Sequence, residues 1–171
     1  HLMILSTFPF YIEYLGGSEA VAGLAAALFS IVAVICRPFI GWMLNSGKRK
    51  VILLIGLVGM ALMPMGYLAF GVFYLALLCR MVHGPSLAFS NTSTATIASD
   101  LIPHERFAEG MGMFGLATAL ATACAPALGL WLMERFGFSV LFGTATGVIV
   151  LSLVLLACLR PASVPQQKKP L

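Results

Sequence analysis

Five apolar runs, each of about twenty residues or more, cover roughly 20–44, 51–70, 72–99, 108–133 and 138–159 of this 171-residue sequence. A helix rises 1.5 Å per residue, so about 20 residues carry it through the ~30 Å hydrocarbon layer of a bilayer. In that layer a segment must satisfy its own backbone polar groups, and uninterrupted runs of this length do so as helices. An all-α integral membrane protein is the expected fold class. The composition agrees, since 60% of residues are hydrophobic and only 9% charged, with a mean hydropathy of +1.01. A soluble domain of this length needs far more polar surface. Ahead of the five runs, residues 2–15 would reach only about 21 Å as a helix, too short to span alone. They read as the outer part of a truncated first helix, which makes six. No basic segment or small-residue cleavage site marks them as a cleavable signal.

The breaks between runs carry turn chemistry: "GGSE" at 16–19, "NSGKRK" at 45–50, "IPHER" at 102–106 and "ERFGF" at 134–138. If the segments alternate across the membrane, Lys48, Arg49, Lys50, Arg106, Arg160, Lys168 and Lys169 fall on one side and only Arg135 on the other. The basic side is then cytoplasmic, and six spans put both ends of the chain there. Residues 1–160 are expected to form one six-helix transmembrane bundle, and 161–171, "PASVPQQKKPL", a solvated cytoplasmic linker. The net charge of +4 reports these basic loops, not nucleic-acid binding. Cys36, Cys79, Cys124 and Cys158 all sit in apolar runs, where a thiol behaves as a small hydrophobe.

One phrase occurs twice. "CRPFIGW" at 36–42 and "CAPALGLW" at 124–131 fall in the second and fifth expected helices. These are equivalent positions if helices one to three and four to six are two copies of one unit. An odd number of spans per copy inverts the second copy, so a 3+3 inverted repeat is expected, a plan common in secondary transporters. Intramembrane Pro and Gly are tolerated because neighbouring helices re-satisfy the freed backbone groups and exploit the close approach.

Several motifs, in order, resemble the major facilitator superfamily. "RPFIGWMLNSGKRKVILLIG" (37–56) is similar to its loop signature between helices two and three: Gly41, Arg49 and Lys50 match, while Met43 stands for Leu, Asn45 for Asp, Ser46 for Arg and Lys48 for the second Gly. "LLCRMVHGPSLAF" (77–89) resembles the fourth-helix motif through Arg80 and Gly84. "GMFGLATALATACAPALG" (112–129) resembles the fifth-helix motif of antiporters: Gly112, Pro126 and Gly129 match, and Ala121, Ala125 and Leu130 replace glycines. The resemblance implies half of a twelve-helix transporter with its substrate cavity between two six-helix bundles. The implied partners are the lipid bilayer, a small-molecule substrate and a carboxy-terminal bundle. The implied function is alternating-access transport of a small organic solute, with proton-coupled drug or sugar efflux through the plasma membrane as the leading form. No cofactor beyond the proton gradient is expected. A transport-incompetent half acting as an assembly or interaction subunit is the alternative.

Arg80 lies nine residues into the fourth helix, about 13 Å below its edge and near the bilayer midplane. His83, Gly84, Leu87, Asn91 and Thr94 share its face. A guanidinium does not deprotonate, so at that depth it must meet a cavity, an acid or carbonyl groups. Arg80 either couples proton movement or binds substrate, or it pins neighbouring helices. His83 is a proton carrier or a satisfied hydrogen-bonding group. Glu13 is a partner for Arg80, a cation entry point or a solvated cap, the last being preferred. Arg37 is expected to snorkel to lipid phosphates rather than contact substrate. Lys48, Arg49, Lys50, Asp100, Arg106 and Glu109 form a cytoplasmic charge cluster, serving as a latch or as positive-inside anchoring. Between Gly112 and Gly129 the fifth helix offers a small-residue surface for close packing, with Pro126 as a hinge. No metal-ligand spacing, nucleophile beside a base or phosphate-binding glycine loop points to an enzyme.

Overall fold

The computed structural model describes residues 1–47 and 49–158. Lys48, Arg160, Lys168, Lys169 and the linker expected over 161–171 lie outside the described residues. Within them the chain is all-helical: α1 Leu2–Tyr14, α2 Glu19–Leu44, α3 Arg49–Phe70, α4 Phe73–Leu101, a 3-10 turn His104–Arg106, and α5 Phe107–Cys158. Two helices, α2 and α3, and the continuous stretch His104–Cys158 are long and apolar enough to cross a membrane. The 13 residues of α1 reach only about 20 Å, as the sequence implies. With 29 residues α4 is long enough, but the run expected over 72–99 is less apolar than the rest. Arg80, His83, Asn91 and a series of Ser and Thr residues dilute it.

Side chains and glycines set the ends of these elements. Ser18 caps α2 by accepting from the Val21 amide at 3.4 Å, and Glu19 places a carboxylate at the positive end of the helix dipole. The prolines Pro9, Pro38, Pro64, Pro85 and Pro126 all lie inside helices without ending them.

α5 differs most from expectation. The turn expected at 134–138 contracts to one residue, Gly137, whose φ of 78° and ψ of −179° break the 52-residue helix. Straight, a helix of that length would run about 78 Å, more than twice the hydrocarbon thickness. Residues 107–136 approach α1, where Gly129 meets the backbone of Met3. Beyond Gly137 the chain runs back along α3. Phe142 stacks near Tyr67 at 5.5 Å, the Thr146 hydroxyl reaches the Ala61 carbonyl at 3.4 Å, and Ile149 packs with Met60 and Ala61. Only glycine adopts this backbone region without strain, and nothing lies within 4 Å of a Cβ built there. Gly137→Ala is therefore expected to cost about 1–3 kcal/mol through backbone strain alone. Denaturant unfolding in detergent micelles measures it, and an unchanged midpoint would refute it.

α4 is the centre of the bundle, packed between α2 and α3, while α1 lies against α5 and α5 against α3. Close approach depends on missing side chains. A Cβ at Gly84 would meet the Phe29 carbonyl oxygen at 2.5 Å, and one at Gly56 would meet the Ser90 nitrogen at 2.5 Å. Small residues such as Ala76, Ser86, Ala88 and Ser93 complete the buried face of α4. One apolar core gathers Ile4, Phe8, Tyr11, Ile12, Ala25, Tyr67, Leu141 and Phe142; a second gathers Ala33, Ile40, Leu44, Ile52 and Ala88. The outside is equally apolar, with Ile35, Phe39, Trp42, Leu62 and Leu151 all more than half exposed, a surface suited to lipid.

Candidate functional site

Arg80 and His83 are three residues apart on α4, so they project from one face of the helix. Because glycines and small residues let α2 and α3 close on that face, both are 1% exposed. Arg80 is thereby held out of solvent near the middle of an apolar bundle. Its guanidinium carbon lies 3.9 Å from the ring centroid of Phe8 on α1 and 4.5 Å from that of Phe29 on α2. A desolvated cation–π contact contributes about 2 kcal/mol. Burying an ion costs several kcal/mol, so the rings do not offset it alone. The Tyr67 side chain on α3 is electrostatically coupled to the guanidinium, and its hydroxyl oxygen is the acceptor available to it. Among the described residues no carboxylate forms an ion pair with Arg80, and its Nε has no hydrogen-bond partner.

The Tyr67 hydroxyl lies 2.8 Å from His83 Nδ1, whereas His83 Nε2 has no partner. The His83 ring stands edge-on to Phe29 at 5.6 Å. Tyr67 is itself fixed on several sides. It packs against Phe8 at 5.2 Å and Phe142 at 5.5 Å, and its backbone carbonyl accepts a hydrogen bond from the Tyr11 hydroxyl. The site is therefore a buried polar triad, Arg80, Tyr67 and His83, in an aromatic shell drawn from α1, α2, α3 and the returning arm of α5.

The other transport-pathway residues expected from the sequence are not brought to this triad. Asn91 follows Arg80 by about 16 Å along α4 and is exposed. Thr94 is half-buried and turns its hydroxyl back to the Ser90 carbonyl at 2.8 Å. Glu13 is exposed and forms no ion pair with Arg80, because Tyr11 and Ile12 occupy the inward face at that end of α1. Arg37 is exposed on α2. Sequence reasoning missed Tyr67, Phe8 and Phe29. Tyr67 is the only tyrosine in α3, which is a weak signal. Nothing distinguishes Phe8 and Phe29 among 12 phenylalanines.

The charge cluster divides into pairs. Arg49, at the start of α3, forms an ion pair with Asp100 near the end of α4, and Arg106 faces Glu109 at 3.8 Å on the surface. Gly41 is half-buried in α2, Asn45 is exposed at its C-cap, and Lys50 is exposed on α3. The carboxylate nearest the loop signature thus comes from α4 rather than from position 45. Asp100→Asn is expected to cost no more than about 1 kcal/mol, less at high salt. Thermal unfolding at two ionic strengths measures this, and a loss above about 3 kcal/mol would mark the pair as a buried lock instead.

On α5 the packing surface expected between Gly112 and Gly129 is mostly uncovered. No residue from Gly112 through Leu128 is buried, Gly112 has no side chain or backbone within 4 Å of its Cβ position, and Pro126 is half-buried. Only Gly129 makes the close contact, against Met3.

Apolar helices with a fully buried arginine in their midst define an integral membrane protein with a candidate functional site in its interior. The chain belongs to the Major Facilitator Superfamily, whose family model matches residues 2–171. It is similar to multidrug resistance protein MdtG of Serratia proteamaculans, 28% identical over 175 residues that cover 98% of this chain and 42% of that protein. It is also similar to quinolone resistance protein NorA of Staphylococcus aureus, 23% identical over 159 residues, covering 90% of this chain and 40% of NorA. The mouse major facilitator superfamily domain-containing protein 10 is 27% identical over 149 residues, 86% of this chain and 31% of that protein. The chain thus spans less than half the length of each of these relatives.

Proposed function

We propose that this chain is the amino-terminal half of a proton-coupled exporter of small organic solutes, built as a six-helix 3+3 inverted repeat and working by alternating access with a second bundle. The observation that carries the reading is Arg80. A permanent cation, 1% exposed and without a carboxylate partner among the described residues, is expensive to keep in a bilayer and is retained where it does work. The names of MdtG and NorA support drug efflux as the form of that work. The reversal of α5 at Gly137 supports the six-helix reading. That the chain covers only 42% of MdtG and 40% of NorA supports a second bundle.

Vesicles test the proposal. The chain is reconstituted alone and joined to a downstream six-helix bundle, a pH gradient is imposed, and efflux of a fluorescent cationic dye and of a fluorescent quinolone is followed. Gradient-dependent efflux from the joined protein only is the expected result. Efflux from neither would overturn drug export, and stable binding of the second bundle without efflux would favour the assembly role.

A further inference from the structure

Tyr67 stands between the two functional side chains and has one hydroxyl proton to give. A guanidinium only donates hydrogen bonds. The positive charge of Arg80 beside Tyr67 draws the phenol oxygen toward it and turns the hydroxyl proton to His83 Nδ1, 2.8 Å away. We propose that Tyr67 is the positioning residue of the site, orienting Arg80 and fixing His83 with Nδ1 as acceptor and the proton on Nε2. The arrangement leaves Arg80 Nε and His83 Nε2, the two ring and guanidinium nitrogens without partners, both as N–H donors. What enters the site, a substrate oxygen or a water, is met by donors alone.

Tyr67 is placed for this task by contacts unrelated to its hydroxyl. Its ring is wedged among Phe8, Phe142 and His83, and the Tyr11 hydroxyl holds its backbone carbonyl. The titratable and charged groups around the pair are Arg80 and Cys79 on α4 and Tyr11 on α1; α2 presents Phe29, and the returning arm of α5 presents Phe142. None of the carboxylates among the described residues is buried there. The phenol is therefore the group that fixes the hydrogen bonding of His83 beside Arg80.

This inference rests on the transport reading for its consequence but not for its geometry, so two measurements separate them. Nitrogen NMR of histidine-labelled protein, full-length and in lipid, reads which ring nitrogen carries the proton. For His83 the expected signature is a bare, hydrogen-bonded Nδ1 and a protonated Nε2 in the parent protein and in Tyr74→Phe, replaced by a tautomer mixture in Tyr67→Phe. In the efflux assay Tyr67→Phe is expected to transport about tenfold more slowly, the contribution of one hydrogen bond to a charged group, with an altered pH profile. Tyr74→Phe, which loses an exposed hydroxyl on the helix that carries His83, keeps the parent's profile. A protonated Nδ1 in the parent, or an unchanged His83 spectrum and pH profile in Tyr67→Phe, overturns the inference. If the parent effluxes no dye, the transport reading fails while the NMR result still decides the role of Tyr67.

Discussion

Arg80→Met is expected to reduce gradient-driven efflux by a hundredfold or more, roughly 2.7 kcal/mol of lost coupling or binding, while the variant folds and melts at or above the parent's temperature. The two halves of that expectation have one cause. Arg80 carries its charge into a site 1% exposed, with two phenylalanine rings and a tyrosine hydroxyl but no carboxylate partner among the described residues. Replacing a buried charge by an apolar side chain of similar length is often neutral or stabilising, because the desolvation cost disappears with the charge. Phe8 and Phe29 would pack against a thioether nearly as well. Thermal unfolding and vesicle efflux on the same preparation check both halves. A large drop in melting temperature with efflux preserved per folded molecule would make Arg80 a structural pin instead.

The second large effect is on stability alone. Gly84→Ala adds one carbon that would lie 2.5 Å from the Phe29 carbonyl oxygen, which belongs to the backbone and has nowhere to go. α2 and α4 must separate, and the contacts of Arg80 with Phe29 loosen with them. Overpacking of this kind costs typically 1–3 kcal/mol, and a rigid backbone neighbour puts this site at about 3 kcal/mol. Gly112→Ala is the control: its Cβ has nothing within 4 Å, and the change is expected to be neutral. Unfolding in mixed micelles distinguishes them, and equal midpoints for the two variants would refute the close-approach account.

Much of this was legible in the sequence, for reasons that differ by element. The membrane class and the helical content follow from run length and composition, which act along the chain and need no knowledge of neighbours. Arg80 was legible too, since an arginine inside an apolar run stands out by its cost. Its surroundings were not. Phe8 and Phe29 look like any lipid-facing phenylalanines until α1 and α2 are docked, and Tyr67 gains its role only from being sixteen residues and one helix away from His83. Helical periodicity put Asn91 and Thr94 on the face of Arg80, but a face that is buried at one depth is open at another, so shared periodicity did not mean a shared site. Glu13 failed as a partner for the converse reason. Two inward residues, Tyr11 and Ile12, had already claimed its end of α1. The turn near 134–138 was read as a loop because a glycine among charged residues signals one; a single glycine in an extended conformation with positive φ sufficed.

That economy extends to a whole end of the bundle. Gly16, Gly71 and Gly137 each carry positive φ at the connections there: four residues between α1 and α2, two between α3 and α4, and one within α5. Gly71 and Gly137 gather with Tyr11, Tyr14 and Phe138 around a cleft of about 460 Å³. Proteases need several extended residues to thread into their clefts, and inserted epitopes need slack on both flanks. The two-residue connection and Gly137 offer neither. Limited digestion and tag insertion should therefore succeed at residues 102–106, between α4 and α5, and leave the α3–α4 connection and the bend at Gly137 intact.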